Sequence, residues 1–304
     1  MSRRAAAVLA LALGVALALT GCTASADDDR PHVVVTTNIL GDVVRNLVGE
    51  EAQVTVLMRA DADPHSFEIS AREAAEMRQA DLVVSNGLGL EEGLQQHLDA
   101  AADTDVQTFA AGDHVDVLEY GVEQGGAPDP HFWTDPVRVV DVVDALTPVL
   151  ARVEGLDADV VQQQAASYRA ELQQLDAEMV AAFDDIPEDR RSLVTNHHVF
   201  GYLAERFGFR VVGAVIPGGT TLASPSAADL DDLAGAVRSA GVPVIFAESS
   251  QPDRLIQVLA DEAGVEVDVV PLFTESLTAS GGGAETYLQM QRVNTERITS
   301  GLSS

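Results

Sequence analysis

The sequence predicts an α/β protein with two lobes, whose mostly parallel sheets are joined by one long backbone helix. Short apolar runs alternate with amphipathic segments in the first half of the chain, and the same alternation returns in the second half. Strands spaced by helices are typical of βαβ units and therefore of parallel sheets. A single long amphipathic segment separates the two halves, which predicts one connecting helix.

The N-terminus predicts a signal peptide at 1–21 and a lipid anchor at Cys22. A short basic start precedes an apolar run from 5 to 19, which is too short to span a membrane comfortably. The run ends in Leu-Thr-Gly-Cys, which resembles a bacterial lipobox, and this implies cleavage before Cys22 and acylation of its thiol and new amino group. The small and acidic residues 22–31 are predicted to form a lipid-anchored tether.

An N-terminal α/β lobe is predicted at 32–154. Its apolar runs suit buried parallel strands, and the segments between them repeat apolar residues at helical spacing. The predicted strands are 32–37, 53–58 and 81–87, and the predicted helices are 39–49, 70–80, 90–101 and 136–152.

The connecting helix is predicted within 155–187. From 157 to 185 apolar residues recur at steps of three or four and form one helical face, and Pro187 ends the pattern. At 1.5 Å per residue, a helix of this length spans roughly 43 Å and runs past both lobes. The residues of the apolar face are Val161, Ala165, Tyr168, Leu172, Leu175, Met179 and Ala182.

A C-terminal α/β lobe is predicted at 188–304. The alternation of apolar runs and amphipathic segments resumes there, with proline in the first turn of one helix. The predicted strands are 191–196, 210–216, 242–249 and 265–270, and the predicted helices are 197–208, 224–241, 253–264 and 285–301.

The composition excludes several kinds of partner. The chain has 18 Lys and Arg residues, all of them arginine, against 48 Asp and Glu, and its formal net charge is −30. Such a surface repels nucleic acid and offers no polybasic patch to a membrane. Cys22 is the only cysteine, so the mature chain forms no internal disulfide and no thiolate metal site. Nothing in the sequence indicates an oligomer, and we expect a monomer.

The tripeptide Asp-Pro-His occurs twice, and it presents His65 and His131. Proline restricts its own backbone and that of the residue before it, so each imidazole sits on a stiff loop that loses little entropy on binding. Asp-Pro is also an ordinary turn signal, and either histidine alone fits a solvated turn equally well. His197 and Glu275 follow predicted strands, and ligands of open α/β sheets gather beyond the carboxyl ends of strands. Together the four residues predict a site for one divalent transition metal between the lobes.

The other candidate residues are expected to have structural roles. His32, His97 and His114 are expected at the surface, and His198 is expected to point away from the metal or to act through a hydrogen bond. Glu248 ends an apolar strand, which favours a buried, hydrogen-bonded carboxylate over a metal ligand. The aromatic residues that flank His131 are expected to pack.

Four stretches resemble the ligand loops of the metal-binding lipoproteins of ABC importers for zinc and manganese, the cluster A-I solute-binding proteins. These stretches are ADPHSFE, DPHFWTDP, VTNHHVFGYLAERFGF and LFTESL. The similarity covers about residues 32 to 302. It implies two α/β lobes, a rigid backbone helix and one metal in the cleft, held at His65, His131, His197 and Glu275.

The same resemblance implies delivery of the metal to a membrane permease driven by a cytoplasmic ATPase, from a lipid-anchored position on the extracytoplasmic face of the cell membrane. A metallochaperone that loads the site is a further candidate partner. Three imidazoles and one carboxylate favour Zn²⁺, whereas two histidines with two carboxylates would suit Mn²⁺, the alternative ion, better. The chain departs from the family pattern in three ways. It lacks the long His-rich acidic loop that zinc members often carry before the second ligand, and Glu275 stands where aspartate is frequent. His197 stands where manganese members often have an acidic residue.

Two other functional classes stay open at this point. A secreted zinc hydrolase would use the three histidines as ligands and Glu275 or Glu248 as the general base, although the chain has no His-Glu-x-x-His motif. A surface adhesin would use the metal only structurally, and it would unfold when the metal is removed.

Overall fold

A computed structural model describes residues 29–121, 126–216, 219–223, 226–249 and 268–303. The predicted signal peptide, Cys22, most of the tether and the helix predicted at 253–264 lie outside the described residues. Within the described ranges, none of the helices combines the length and the apolar composition needed to cross a membrane.

The first half of the chain forms a parallel sheet of four strands in the order β2-β1-β3-β4. The inner strands are almost wholly buried because helices cover both faces of the sheet. The edge strand β4 is not predicted from the sequence, since only one of its four residues is buried. The strands are β1 (His32–Val35), β2 (Gln53–Val56), β3 (Leu82–Ser85) and β4 (Gln107–Ala110), and the helices are α1 (Asn38–Val48), α2 (Ala71–Met77), α3 (Gln95–Ala102) and α4 (Pro136–Leu150).

The connecting helix α5 (Ala158–Asp184) has 27 residues and is about 40 Å long. Asp157 caps its N-terminus, where the side chain accepts hydrogen bonds from two backbone N–H groups of the first turn. Six of the seven residues predicted for its apolar face are buried, and the seventh buried residue is Phe183, while Ala182 is only half-buried. The helix packs against α1, α4 and the last helix, α8 (Tyr287–Ser303).

The second half of the chain contains two parallel strand pairs, β5-β6 and β7-β8, and β5 lies against β7. The C-terminal lobe is thus built from parallel strands, like the N-terminal one. Its strands are β5 (Ser192–Thr195), β6 (Arg210–Ala214), β7 (Val244–Glu248) and β8 (Asp268–Leu272), and its helices are α6 (Gly201–Phe207), α7 (Ala227–Ala240) and α8.

One continuous apolar core runs from the N-terminal sheet through α5 to the second half of the chain. Helix α8 contributes to this core, and it packs on α1 and α5 as well as on β8. Burial of this core stabilises the frame on which the loops beyond the strands are held. The division into 32–154, 155–187 and 188–304 stays a prediction.

The helix predicted at 197–208 begins only at Gly201. The carbonyl oxygen of His197 accepts hydrogen bonds from the Thr195 hydroxyl at 2.6 Å and from the Val199 N–H at 3.0 Å. Because these local bonds occupy the carbonyl, the segment from His197 to Phe200 is a loop, and it places the histidine directly beyond β5.

Candidate metal centre

Four side chains that are far apart in the sequence meet at one buried point. His65, His131, His197 and Glu275 each offer one ligand atom, and these atoms all lie within 4.8 Å of one another. Glu275 Oε1 lies 3.0 Å from His65 Nε2, 3.3 Å from His131 Nε2 and 3.2 Å from His197 Nε2. His131 Nε2 is 3.3 Å from the Nε2 atoms of both other histidines. None of the four residues is more than 1% exposed.

These separations are close to the edges of a tetrahedral metal site. Zinc binds imidazole nitrogen at about 2.0–2.1 Å, which sets neighbouring ligand atoms of a tetrahedron about 3.4 Å apart. The five ligand-atom separations given above are 3.0–3.3 Å. Three nitrogen atoms and one oxygen atom therefore enclose a space of the size that one small divalent cation fills.

The positions of these residues follow from the sheet topology. His65, His197 and Glu275 lie in the segments beyond β2, β5 and β8, and His131 immediately precedes a short 3₁₀ helix, Phe132–Thr134. Because the strands are parallel, their carboxyl ends point to the same edge of each sheet. The loops that follow the strands therefore bring the four side chains together.

The aspartate of each Asp-Pro-His tripeptide binds the backbone of its own histidine. Asp63 Oδ1 accepts a hydrogen bond from the His65 N–H at 2.9 Å, and Asp129 Oδ1 accepts one from the His131 N–H at 3.0 Å. Local bonds of this kind define an Asx turn. Both tripeptides thus combine a rigid proline with a side-chain bond, and both fix the backbone that carries an imidazole.

Asp129 also orients the ring of His131. The Nδ1 atom of that ring lies 2.8 Å from Asp129 Oδ1, and the Tyr120 hydroxyl lies 3.0 Å from both atoms. An imidazole that uses Nε2 as a ligand carries its proton on Nδ1, so the Nδ1–H group donates to the carboxylate. Such a partner fixes the tautomer and the orientation of the ring.

Glu248 plays the corresponding role for His197. Its Oε1 atom lies 2.6 Å from His197 Nδ1 and accepts a hydrogen bond from the His197 N–H at 3.2 Å. Glu248 ends β7 and is 2% exposed, and its own N–H donates to the Asn196 side chain at 2.8 Å. It is a buried, hydrogen-bonded carboxylate, as the sequence indicates, and it orients an imidazole.

Trp133 links the loop of His131 to the segment of Glu275. Its indole Nε1–H donates a hydrogen bond to the carbonyl oxygen of Thr274 at 2.8 Å, and its ring packs edge-on against the His131 ring at 5.2 Å. The sequence predicts only packing for this residue. Its hydrogen bond adds a connection between the loop of His131 and the segment of Glu275.

Asn38, the first residue of α1, fixes the same segment from the other side. Its side chain donates to the Ser276 hydroxyl at 2.8 Å and accepts from the Leu277 N–H at 2.9 Å. The Leu277 carbonyl oxygen accepts from the backbone N–H of Asp61, in the loop that leads to His65, at 3.1 Å. The segment that carries Glu275 is therefore held by the first half of the chain.

The buried charges shift the protonation equilibria of the site. Burial alone would lower the pKa of His197, but the carboxylates of Glu248 and Glu275 outweigh it and raise this pKa well above the usual histidine value. Burial alone would raise the pKa of Glu275, but His197 and hydrogen bonds from the imidazoles hold it well below its usual range. The carboxylate therefore stays ionised and is ready to bind a cation.

The remaining histidines lie apart from this centre. His114 is exposed and stacks on the Phe109 ring at 4.6 Å. The ring of His198 lies 6.5 Å from that of Tyr120 and takes no part in the four-residue cluster. The expectation that His32 is exposed is wrong, because it pairs within the sheet, is half-buried and places Nε2 2.8 Å from the Thr55 hydroxyl.

Sequence reasoning missed the residues that support the centre. Asp129 carried a signal, since an aspartate stands two residues before the histidine in both Asp-Pro-His tripeptides. Tyr120 and Asn38 lie in stretches that match no motif, and only the folded chain brings them to the site. Cys22, the predicted lipidation site, lies outside the described residues.

Comparison with known proteins identifies the family. The family model described as zinc-uptake complex component A, periplasmic (ZnuA) matches residues 33–301. The chain belongs to this family. At the level of the family it is a substrate-binding component of an uptake system and not an enzyme.

Relatives of the ZnuA family carry names for two metals. The manganese-binding lipoprotein MntA of Halalkalibacterium halodurans is 28% identical over 294 residues, which cover 95% of this chain and 96% of MntA. The zinc-binding protein TroA of Treponema pallidum is 29% identical over 300 residues, or 96% of both chains. The solved structure of TroA superposes with a TM-score of 0.83 at 28% identity and covers 90% of this chain and 99% of TroA. The two-lobed α/β fold with its long helix is therefore confirmed.

Proposed function

We propose that this protein captures a divalent transition metal, zinc in preference to manganese, outside the cytoplasm and delivers it to the permease of an ABC importer driven by a cytoplasmic ATPase. The observation that carries the proposal is the convergence of His65, His131, His197 and Glu275 on one buried point. Membership in the ZnuA family supports the transport role. The metal is the cargo of the protein.

The donor set supports zinc as the preferred ion. Three neutral imidazoles and one carboxylate are typical of tetrahedral zinc, and the short edges of the cluster suit four-coordinate binding. The two histidine rings with a carboxylate partner, His131 and His197, have the outer hydrogen bond that commonly accompanies zinc-bound imidazole.

Manganese is the second candidate, and one observation favours it. The Oε2 atom of Glu275 is buried and has no hydrogen-bond partner in the described part of the chain. A second carboxylate oxygen can enter the coordination shell and raise the coordination number, which suits a harder ion such as Mn²⁺. The name of MntA shows that a relative binds manganese.

A hydrolytic role is less consistent with this centre. A catalytic zinc keeps an open position for water, whereas Glu275 lies close enough to all three imidazoles to fill the fourth position itself. The zinc-loaded protein should therefore turn over neither ester nor peptide substrates. Hydrolysis that depends on bound zinc would contradict the transport proposal and favour an enzyme.

The metal can be identified on the protein purified without a His-tag and without chelators. Elemental analysis should find about one zinc per chain, and zinc should displace manganese when the two ions compete at equal concentration. If manganese stayed bound to the protein in the presence of equimolar zinc, manganese and not zinc would be the preferred ion. Absence of both metals, together with no measurable binding of either, would overturn the proposed function.

Membrane attachment and partners complete the proposal. We infer that acylated Cys22 anchors the chain through residues 22–31, that the protein acts as a monomer without nucleic acid, and that a metallochaperone is a further candidate partner. Labelling of cells with a fatty-acid probe should mark the wild-type protein, and the Cys22→Ala variant should be unlabelled and released from the membrane. A labelled variant would contradict the anchor.

Removal of the metal separates a transport role from a structural one. The continuous apolar core of the described residues contains no part of the four-residue centre, so the chelated protein should keep its far-UV circular dichroism spectrum and unfold cooperatively. An adhesin that uses the metal as a structural element would lose its fold on chelation.

A further inference from the structure

The Tyr120 hydroxyl lies between the loop that carries His131 and the loop that carries His197. It is 3.0 Å from Asp129 Oδ1, 3.0 Å from His131 Nδ1 and 3.2 Å from the carbonyl oxygen of His198. The first two atoms belong to the loop that orients one imidazole. The third belongs to the residue directly after His197, so a single hydroxyl reaches the backbone beside the other imidazole.

We propose that Tyr120 is a positioning residue that couples the loop of His131 to the loop of His197 and thereby slows release of the metal. The proposal rests on the proposed function, since it concerns the same site. Tyr120 is not one of the four candidate ligands. Its hydroxyl acts through Asp129 and the His198 carbonyl oxygen, which it contacts directly.

Asp129 is held by the second half of the chain as well. The Tyr202 hydroxyl, on α6, donates to the Asp129 carbonyl oxygen at 2.9 Å. A Cβ atom at Gly201 would lie 2.5 Å from Asp129 Oδ2, so the first residue of α6 must be glycine for the carboxylate to approach so closely. Asp129 is 2% exposed. The partner of His131 is thus enclosed by α6, which begins a few residues after His197.

The ring of Tyr120 packs against the backbone of the second half of the chain. A Cβ atom at Gly219 would lie 2.2 Å from the hydroxyl end of the tyrosine ring, so the backbone of a C-terminal loop packs directly on the ring. Tyr120, Asp129 and His198 also line an open cleft of about 810 Å³. The tyrosine ring is thus held in place by a loop of the second half of the chain.

This geometry gives Tyr120 a specific effect on release. For the metal to leave by separation of the His131 loop from the His197 loop, the hydroxyl bond to the His198 carbonyl or to Asp129 must break. Loss of an outer hydrogen-bond partner typically weakens metal binding by about 10–100-fold. Because the hydroxyl is not itself a ligand, association of the metal should change much less than dissociation.

The test compares Tyr120→Phe with the wild-type mature chain, each loaded with Zn²⁺ alone. Phenylalanine keeps the ring that packs on Gly219 and removes only the hydroxyl. Stopped-flow mixing with excess chelator should show zinc dissociation about tenfold faster in the variant. The association rate should stay within about twofold of wild type. Dissociation of the variant at the wild-type rate would overturn the proposal.

Tyr168→Phe is the matched control. The Tyr168 hydroxyl is buried on α5 and makes no hydrogen bond within the described residues. Its removal should leave both zinc rate constants unchanged. An equal acceleration in Tyr168→Phe and Tyr120→Phe would show a general loss of rigidity and would contradict a local role for Tyr120.

A double variant tests whether the tyrosine acts through Asp129. Asp129→Asn alone should speed dissociation, and adding Tyr120→Phe to it should increase the rate by much less than in the wild-type background, since coupled residues are not additive. If the two substitutions multiplied their separate effects on the dissociation rate, the coupling between Tyr120 and Asp129 would be refuted. If the wild-type chain binds neither zinc nor manganese, both proposals fail, whereas wild-type binding that is lost in His131→Ala but unaltered in Tyr120→Phe rejects only the role of Tyr120.

Discussion

The indole N–H of Trp133 donates a hydrogen bond to the carbonyl oxygen of Thr274 over 2.8 Å, and this bond joins the neighbours of two candidate ligands. Thr274 is 2% exposed and immediately precedes Glu275. Asn38 and Asp61 bind the residues just after it. Glu275 thus comes from the second half of the sequence, but hydrogen bonds fix its segment to the loops that carry His131 and His65. Glu248 orients the ring of His197.

Trp133→Phe should destabilise the protein. The substitution keeps an aromatic ring but leaves the buried Thr274 carbonyl without its donor, which costs about 1–3 kcal/mol. Denaturant unfolding of the metal-free protein should show this loss, and zinc should bind more weakly because the Glu275 segment is less well fixed. Tyr168→Phe, which removes a hydroxyl that has no hydrogen-bond partner among the residues the structure describes, should change neither property. Unaltered stability of Trp133→Phe would mean that the indole bond is not structural.

His131→Ala should weaken zinc binding at least about tenfold, because it removes one of three imidazoles and leaves Asp129 without its ring partner. Competition with a chelating dye measures the affinity directly. The control is His114→Ala, since that histidine is exposed and stacks on Phe109 away from the centre. Equal affinities for His131→Ala and the wild type would remove His131 from the site.

Glu248→Gln tests the support of the third imidazole. The amide oxygen still accepts the hydrogen bond from His197 Nδ1, but the negative charge that makes the imidazole more basic is lost. Zinc affinity should therefore fall by about tenfold while the fold is kept. Glu205→Gln, an exposed carboxylate on α6, is the charge-matched control and should bind as the wild type does. Equal losses in the two variants would point to net charge and not to a local contact.

Zinc binding should release protons at neutral pH. The carboxylates of Glu248 and Glu275 raise the pKa of His197 well above its usual value against the opposing effect of burial, so we expect zinc to displace a proton from this imidazole. A ligand imidazole must be neutral, so lower pH favours the proton over the metal, and affinity should begin to fall above the usual value of about 6.5.

Calorimetry at pH 7 in buffers with different enthalpies of ionisation measures this release. We expect at least about one proton to be released for each zinc ion bound. In Glu248→Gln the pKa of His197 should drop toward its ordinary value, and fewer protons should be released. An identical enthalpy in all buffers for the wild-type protein would contradict a protonated metal-free site.

Much of the fold follows from local pattern. The long helix α5 was predicted within one residue at each end, because its apolar face repeats over seven turns and Asp157 and Pro187 mark its limits. The edge strand β4 was missed because its exposed residues give no apolar run. The start of α6 was predicted too early, since nothing in the local sequence reveals that the His197 carbonyl is bound by Thr195 and Val199.

The sequence by itself determined the family motifs, the alternation of strands and helices, and the four residues that offer ligand atoms, since each of these depends on residue type and short-range spacing. Only the tertiary structure decided which side chains orient the four candidate ligands or fix the loops that carry them. Asp129, Tyr120, Glu248, Trp133 and Asn38 reach the centre from separate elements. A hydrogen bond depends on distances of about 3 Å in space, and contacts between residues far apart in the chain form only when the packed core fixes the loops that carry them.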